Sequence, residues 1–449
     1  MPLIGACADD LTGATTTGVL LARSKARTGV FFNQKAAQNA EGLNDLNAIL
    51  ISTNSRPLPK EEAYEAVSSA TKALKNMGVE YYSKRIDTTL RGGVGTEIDA
   101  MMDVIGNDVV AVVVPAMPQS RRILVGGFSV IDSVALIRTP VAQDVRTPVK
   151  ENYIPRLLAG QSRRKVGLVK LDVVLQGPGA IGSALQEVRA EGHEIIVVDG
   201  ISIEDVQAIA QACVNLKWNV LAVDPGPFTS KLAYCRGLIG AEEANIPEET
   251  LDGHGKTVLC VAGSATPVTK KQMELFCEDP RHVRISVDPV HLITGGAAGD
   301  AEAYNAIQKI IALMSEPNPP RAILIETALH GVILNLDKED EDRAYYKGQC
   351  ADMINKYLGR ITHHVVKAKK DQIAGLYCTG GDTEVNVCTE LGVECLEVVD
   401  YVIAQTDIGR LVGSKYAGIP IIGKGGLTGT DTIVFDIVDR LFKEATRKV

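Results

Sequence analysis

Leu3-Ile4-Gly5-Ala6-Cys7-Ala8-Asp9-Asp10-Leu11-Thr12-Gly13-Ala14 is a short apolar run that stops abruptly on two acids and a hydroxyl. A stretch rich in small residues follows it. An apolar run without alternation reads as a strand buried on both faces, and a turn leading straight into a helix makes it the first unit of a parallel α/β sheet. The same grammar recurs at Ala48 to Thr53, Tyr81 to Ile86, Ala111 to Ala116, Glu194 to Asp199 and Asn219 to Asp224. A second series runs through Thr257 to Ala262, Val283 to Val287, Ala322 to Ile325, Ile373 to Cys378, Cys395 to Val399 and Ile419 to Ile422. Between the two series, Gly237 to Gly255 is acidic and carries no strand pattern. The fold class expected is therefore α/β, with two three-layer domains built on largely parallel sheets, spanning 1–236 and 256–449 and joined by a linker at 237–255. The loop motifs of the two halves differ, so no internal repeat is expected.

Composition agrees with that reading. The chain has 449 residues, too many for one core, and its 45% apolar and 23% charged residues suit an ordinary globular protein. A formal net charge of −8 argues against a nucleic-acid surface, which needs a basic excess. Neither a basic leader nor an apolar run long enough to span a bilayer is present, which points to a cytoplasmic protein without a membrane partner. Nine cysteines without a C-x-x-C pair favour neither a disulfide framework nor a zinc site. A homodimer is the expectation on frequency alone.

In open α/β sheets ligands bind at the carboxyl ends of strands, so the residues there carry the chemistry. After the first strand, Asp9, Asp10 and Thr12 can orient a hydroxyl, accept its proton or receive an anion, although an acid in this place also serves as an ordinary helix cap. Lys84, Asp87 and Arg91 leave the third strand beside Gly92 and Gly93, three cations counting Arg85 against one acid. That balance suits a carboxylate, and a solvated strand end is the bland alternative. Arg56 and Arg122 leave two further strands. In the second half, Gly263-Ser264, Gly380-Gly381-Asp382-Thr383 and Lys424-Gly425-Gly426 are glycine-rich turns whose free amides can hold phosphate, and three together suggest a nucleotide.

Two other motifs compete. Gly418-x-x-x-x-Gly423-Lys424 imitates a P-loop, but Gly425 stands where Ser or Thr belongs and 419–422 reads as strand. Gly177-x-Gly179-x-x-Gly182, with Asp199 ending the next strand, imitates a dinucleotide fingerprint and carries the alternative of an NAD-dependent dehydrogenase. A non-catalytic sensor of sugar acid or nucleotide is the third reading.

Taken in order, A-D-D-L-T-G-A, K-x-I-D-T-T-L-R-G, the P-A-x-P loop reaching Arg122, A-G-S, T-G-G-D-T and K-G-G make the chain resemble the four-carbon acid sugar kinases over both domains. The resemblance implies an ATP- and Mg²⁺-dependent kinase that phosphorylates the terminal hydroxyl of a small acid such as threonate, erythronate or an oxo-tetronate, with its active site in the cleft between an N-terminal acid-binding and a C-terminal nucleotide-binding domain. It further implies that Asp9, Thr12, Arg56, Lys84, Arg91 and Arg122 face the acid, and that Gly263, Ser264, Gly380, Gly381, Asp382, Thr383, Gly425 and Gly426 face the nucleotide. Asp10 or Asp87 would accept the hydroxyl proton, and Lys424 would stabilise the transferring phosphoryl group or neutralise nucleotide charge. The chain departs from the pattern where Thr15, Thr16 and Thr17 replace an expected acid, at Arg121, at Asp224-Pro225-Gly226-Pro227, and at Gln405-Thr406-Asp407-Ile408, where a turn is common.

Overall fold

The strands form where β-branched and apolar residues run consecutively, because a strand covered by helices on both faces has no solvent side to pattern. The computed structural model describes residues 3–39, 45–106, 108–144, 147–244, 255–329, 333–403 and 405–446. The chain divides into two units, Met1–Ala244 and Asn245–Val449. Most of the segment read as a linker, 245–254, lies outside the described residues.

The first unit contains β1 (Ile4–Ala8), β2 (Thr28–Phe31), β3 (Ala48–Ser52), β4 (Tyr81–Arg85) and β5 (Val109–Val113). It continues with β6 (Arg122–Val125), β7 (Phe128–Ile131), β8 (Val134–Ala135), β9 (Val166–Val169), β10 (Ile195–Val198) and β11 (Asn219–Asp224). Eight of these make one sheet in the order β2-β3-β1-β4-β11-β5-β10-β9, and every neighbouring pair is parallel. Each residue of β1, β3 and β5 is buried, and each fully buried Val, Ile or Leu contributes about 1.5–3 kcal/mol. From β1 the chain turns toward β2 on one side, and from β4 toward β5 on the other. Adjacent carboxyl ends whose connections diverge leave a crevice, so β1 and β4 mark the ligand position. Strands β6 to β8 form a small antiparallel arm, which reads in the sequence as irregular loop.

The second unit holds β12 (Thr257–Ala262), β13 (His282–Ser286), β14 (Ala322–Glu326), β15 (Ile373–Thr379), β16 (Cys395–Ile403), β17 (Thr406–Val412) and β18 (Pro420–Lys424). Their order is β13-β14-β12-β15-β18-β17-β16, parallel as far as β18, with β17 antiparallel to both neighbours. The departure at Gln405 to Ile408, where the resembled pattern commonly has a turn, leads into strand β17. Here β12 and β15 are the adjacent strands whose connections diverge, the same winding as in the first unit. Helix Ile433–Ala445 covers this sheet with Ile433, Val434, Ile437, Val438 and Leu441, the spacing of a single apolar face. Among the described residues no helix is long and apolar enough to cross a membrane.

Candidate active site: two clusters at strand ends

At the β1/β4 crevice the acids and guanidiniums interlock. Asp10 caps helix Leu11–Arg23 by accepting from the Gly13 amide at 2.8 Å. Arg56, two residues past a left-handed Asn54 (φ 49°), reaches Asp9 Oδ2 at 2.7 Å and Asp10 Oδ2 at 2.9 Å. Arg85, the last residue of β4, places Nη1 3.2 Å from both Asp9 Oδ1 and Asp10 Oδ1. Gly13 permits this approach, since a Cβ there would sit 1.9 Å from Arg85 Nη1. Asp87 receives Arg91 Nε at 2.7 Å and the Thr89 hydroxyl, and Arg91 continues to Asp144 at 3.4 Å.

Burial alone would raise the carboxyls of Asp9 and Asp87, but the neighbouring guanidiniums overcome it. Arg56 and Arg85 hold Asp9 below its ordinary value, and Arg91 and Arg56 hold Asp87 far below. Both acids are ionised and buried. Asp10 is the accessible member of the three, with 29% of its side chain exposed against 4% and 7% for Asp9 and Asp87. Arg122, which begins the arm, differs from these cations. Its Nη1 donates to the Ser120 carbonyl at 2.8 Å, its Nε is buried without a partner, and among the described residues no carboxylate pairs with it.

At the β12/β15 crevice the chemistry is different. Ser264 sits where three turns converge: a Cβ on Gly426 would lie 2.5 Å from its Oγ, and one on Gly380 would lie 3.8 Å from its Cβ. Gly380 takes φ 103°, a conformation that favours glycine, and opens helix Gly381–Glu390. Asn355 accepts the Thr383 hydroxyl at 2.8 Å, and both crowd Gly263 so closely that no side chain fits there. The first turn of a helix and two glycine turns thus meet around one hydroxyl, an arrangement suited to phosphate oxygens. Asp382 stands exposed on that first turn. Behind it Glu384 lies over the backbone of β18, where a Cβ on Gly423 would come 2.1 Å from its Oε2. Burial, with the charge of Asp407, pushes the Glu384 carboxyl up to about 8.

Comparison with known proteins places the chain in a family. Residues 4–232 match the family model of a sugar-binding N-terminal domain, and residues 259–434 that of a nucleotide-binding C-terminal domain. The D-erythronate kinase of Heliobacterium modesticaldum is 35% identical over 98% of this chain and 97% of its own. The chain belongs to the four-carbon acid sugar kinase family. Another member, the D-threonate kinase of Salmonella typhimurium, is 29% identical over 96% of both chains. A solved DUF1537 structure from Haemophilus influenzae shares the fold, with a TM-score of 0.76 at 22% identity and 98% coverage of both chains.

Within this sugar acid kinase fold several expectations need correction. Lys84 does not face a ligand: it is fully buried, 2.6 Å from Glu97 Oε2, and donates to the Arg85 carbonyl at 2.8 Å. Glu97 in turn accepts the Ser55 hydroxyl at 2.9 Å, so the pair supports the strand ends from beneath. Lys424 is likewise turned inward, to the carbonyls of Gly425 at 2.9 Å and Thr428 at 3.2 Å, and burial lowers its ammonium to about 8. These bonds tie it into the loop. Thr12, by contrast, remains exposed on the first turn of helix Leu11–Arg23, its backbone carbonyl accepting the hydroxyls of Thr15 and Thr16. Arg85, counted among the cations of the sequence but given no site role there, is a full member of the charged cluster.

The competing motifs also resolve. Gly177 caps helix Pro178–Ala190 after a short helix, Leu171–Val174, and does not follow a strand directly. Asp199 is consumed by the amides of Gly126, Gly127 and Leu171 at 2.6, 2.8 and 3.0 Å, leaving it no ribose to bind. The segment imitating a P-loop is strand β18. Two departures from the family pattern touch each other: the Thr17 hydroxyl is buried beside Gly226, where a Cβ would meet it at 3.1 Å. Asp224 caps its own turn through the amides of Gly226 and Phe228, both at 2.7 Å. That pair of departures is a matter of packing.

Proposed function

We propose that this kinase transfers the γ-phosphoryl group of ATP to the terminal hydroxyl of a four-carbon sugar acid of the erythronate, threonate or oxo-tetronate type, with the acid on the first unit and the nucleotide on the second. The observation that carries this reading is the contrast between the two crevices. One is a lattice of ionised acids and guanidiniums suited to a polyhydroxy acid; the other is a cation-poor meeting of glycine turns suited to phosphate. The names of the relatives, D-erythronate kinase and D-threonate kinase, supply the substrate class.

Phosphoryl transfer asks for position and charge more than covalent chemistry. Asp10 is the residue to orient the attacking hydroxyl and take its proton, because it is the exposed carboxylate of the cluster and its orientation is fixed by Gly13, Arg56 and Arg85. Asp87 is committed to Arg91 and Thr89 and serves by holding them. The substrate carboxylate falls to Arg122, since Arg56, Arg85, Arg91 and Lys84 all have acidic partners. Strand β5, which leads to Arg122, is two strands from β4, or about 10 Å at the usual spacing. A long guanidinium side chain bridges much of that span.

Mg²⁺ fits the second unit through Asp382, an exposed carboxylate on the phosphate-facing turn. Such ions keep most of their waters and need only one or two protein oxygens. When bound it would neutralise phosphate charge.

The test is ADP release from Mg²⁺-ATP with a panel of D- and L-erythronate, threonate, oxo-tetronates and three- to six-carbon hydroxy acids. Turnover confined to four-carbon acids supports the proposal. ATP binding without turnover on any of them would replace it with the sensor reading.

A further inference from the structure

The loop after β18 is held by one stripe of side chains on a single helix. Helix Pro267–Phe276 carries Thr269 and Gln272, and Thr266 caps it. The three positions are spaced i, i+3 and i+6, so they share a face. Thr266 and Thr269 hydroxyls donate to the Gly426 carbonyl at 2.6 and 2.9 Å. Gln272, fully buried, brings its carboxamide nitrogen to the carbonyls of Thr428, Gly429 and Thr430 at 3.0, 3.3 and 2.9 Å, two N–H groups serving three acceptors with one hydrogen shared. Lys424 takes the carbonyls of Gly425 and Thr428. Five carbonyls of a short loop are therefore drawn toward the protein interior.

A trans peptide is planar, so a carbonyl pulled one way sends the next residue's N–H the other way. Fixing the Gly425 and Gly426 carbonyls inward turns the amides of Gly426 and Leu427 outward, and neither amide has an acceptor among the described residues. Gly426 is the residue packed against Ser264. The Gln272 side-chain oxygen is buried and has no partner among the described residues.

We propose that Gln272 is a positioning residue for nucleotide phosphate, anchoring the carbonyls of 428–430 beside the Gly426 carbonyl that Thr266 and Thr269 fix, so that the loop as a whole keeps the Gly426 and Leu427 amides aimed at the anion. The inference rests on the nucleotide reading of the second unit and adds a residue that touches no ligand. Its signature is selectivity for the charged part of the nucleotide, because the amides it aims face phosphate and not the base.

The test compares Gln272→Leu with the wild-type full chain by direct titration with ATP and with adenosine, alongside the Michaelis constant for the acid and the melting temperature. The expected result is an ATP dissociation constant raised about tenfold or more, with adenosine affinity and the acid constant within about twofold. Equal weakening toward ATP and adenosine, or unchanged ATP affinity in a folded variant, overturns the clamp. If Gln272→Leu does not fold, Thr269→Val and Thr269→Ser decide it: only the valine should weaken ATP, and identical behaviour of the two overturns the proposal. A wild-type chain that binds no ATP would instead overturn the nucleotide reading beneath it.

Discussion

Glu384→Gln should stabilise the protein at neutral and alkaline pH while leaving it unchanged in acid. In the unfolded chain this carboxyl ionises near 4.5, whereas in the fold burial and Asp407 push it up to about 8. Between those values the folded state keeps a proton that the unfolded state has lost, so stability falls as pH rises through the interval and is level above it. Each pH unit there is worth about 1.4 kcal/mol, which makes the whole interval worth on the order of 4–5 kcal/mol. Glutamine keeps the shape and never ionises. The variant and wild type should therefore match near pH 5, and the variant should lead by several kcal/mol at pH 8.5. Lys424, lowered by burial from 10.5 to about 8, acts in the opposite sense, adding stability as pH rises between those values, so the comparison stops at 8.5. Urea unfolding followed by circular dichroism at half-unit steps measures the difference. The single tryptophan, Trp218, lies in the first unit, so its fluorescence follows the unfolding of that unit separately. Parallel stability curves for variant and wild type from pH 5 to 8.5 would refute the reasoning.

Three further outcomes follow from the geometry. Asp10→Asn keeps a good helix cap but removes the charge; kcat should fall roughly 10²-fold or more with ATP affinity little changed, and an unaltered kcat would remove Asp10 from the hydroxyl. Arg122→Lys should raise the Michaelis constant for the acid while leaving that for ATP alone, because lysine keeps the charge and loses the bidentate fork. A shift confined to ATP would refute the assignment. Lys84→Met should destabilise the first unit by about 3–5 kcal/mol by stranding Glu97, and adding Glu97→Leu should recover much of the loss; a double variant no better than the single would show that the pair is not the cause.

Much of the frame was legible because apolar runs bounded by glycine and acid turns have few other folds open to them; the fold then brings the glycine turns of the second unit together around Ser264. What escaped the sequence has physical reasons. Strand β17 starts with polar Thr406 and Asp407, and its pairing with β16 and β18 is decided by neighbours far along the chain. The arm of β6 to β8 begins at Arg121-Arg122, which reads as loop. Lys84 was misjudged because alternation assigns faces without saying which face is dry. The available signal was Glu97, an acid set among apolar residues in the first turn of helix Val94–Ile105, which needs a buried cation. Arg85 is the reverse case, a cation whose importance depends on the absence of a side chain at Gly13.

The order β2-β3-β1-β4 reappears in the second unit as β13-β14-β12-β15. The chain thus repeats one winding under two sets of strand ends of unlike chemistry, although the turn sequences share no motif. For protein engineering, the strands are a common chassis and ligand identity resides in the few residues that leave two adjacent strands. Retargeting the first unit to a longer or shorter acid should need changes only beyond Ala8, Ser52, Arg85 and Val113, while the apolar strands beneath are left as they stand.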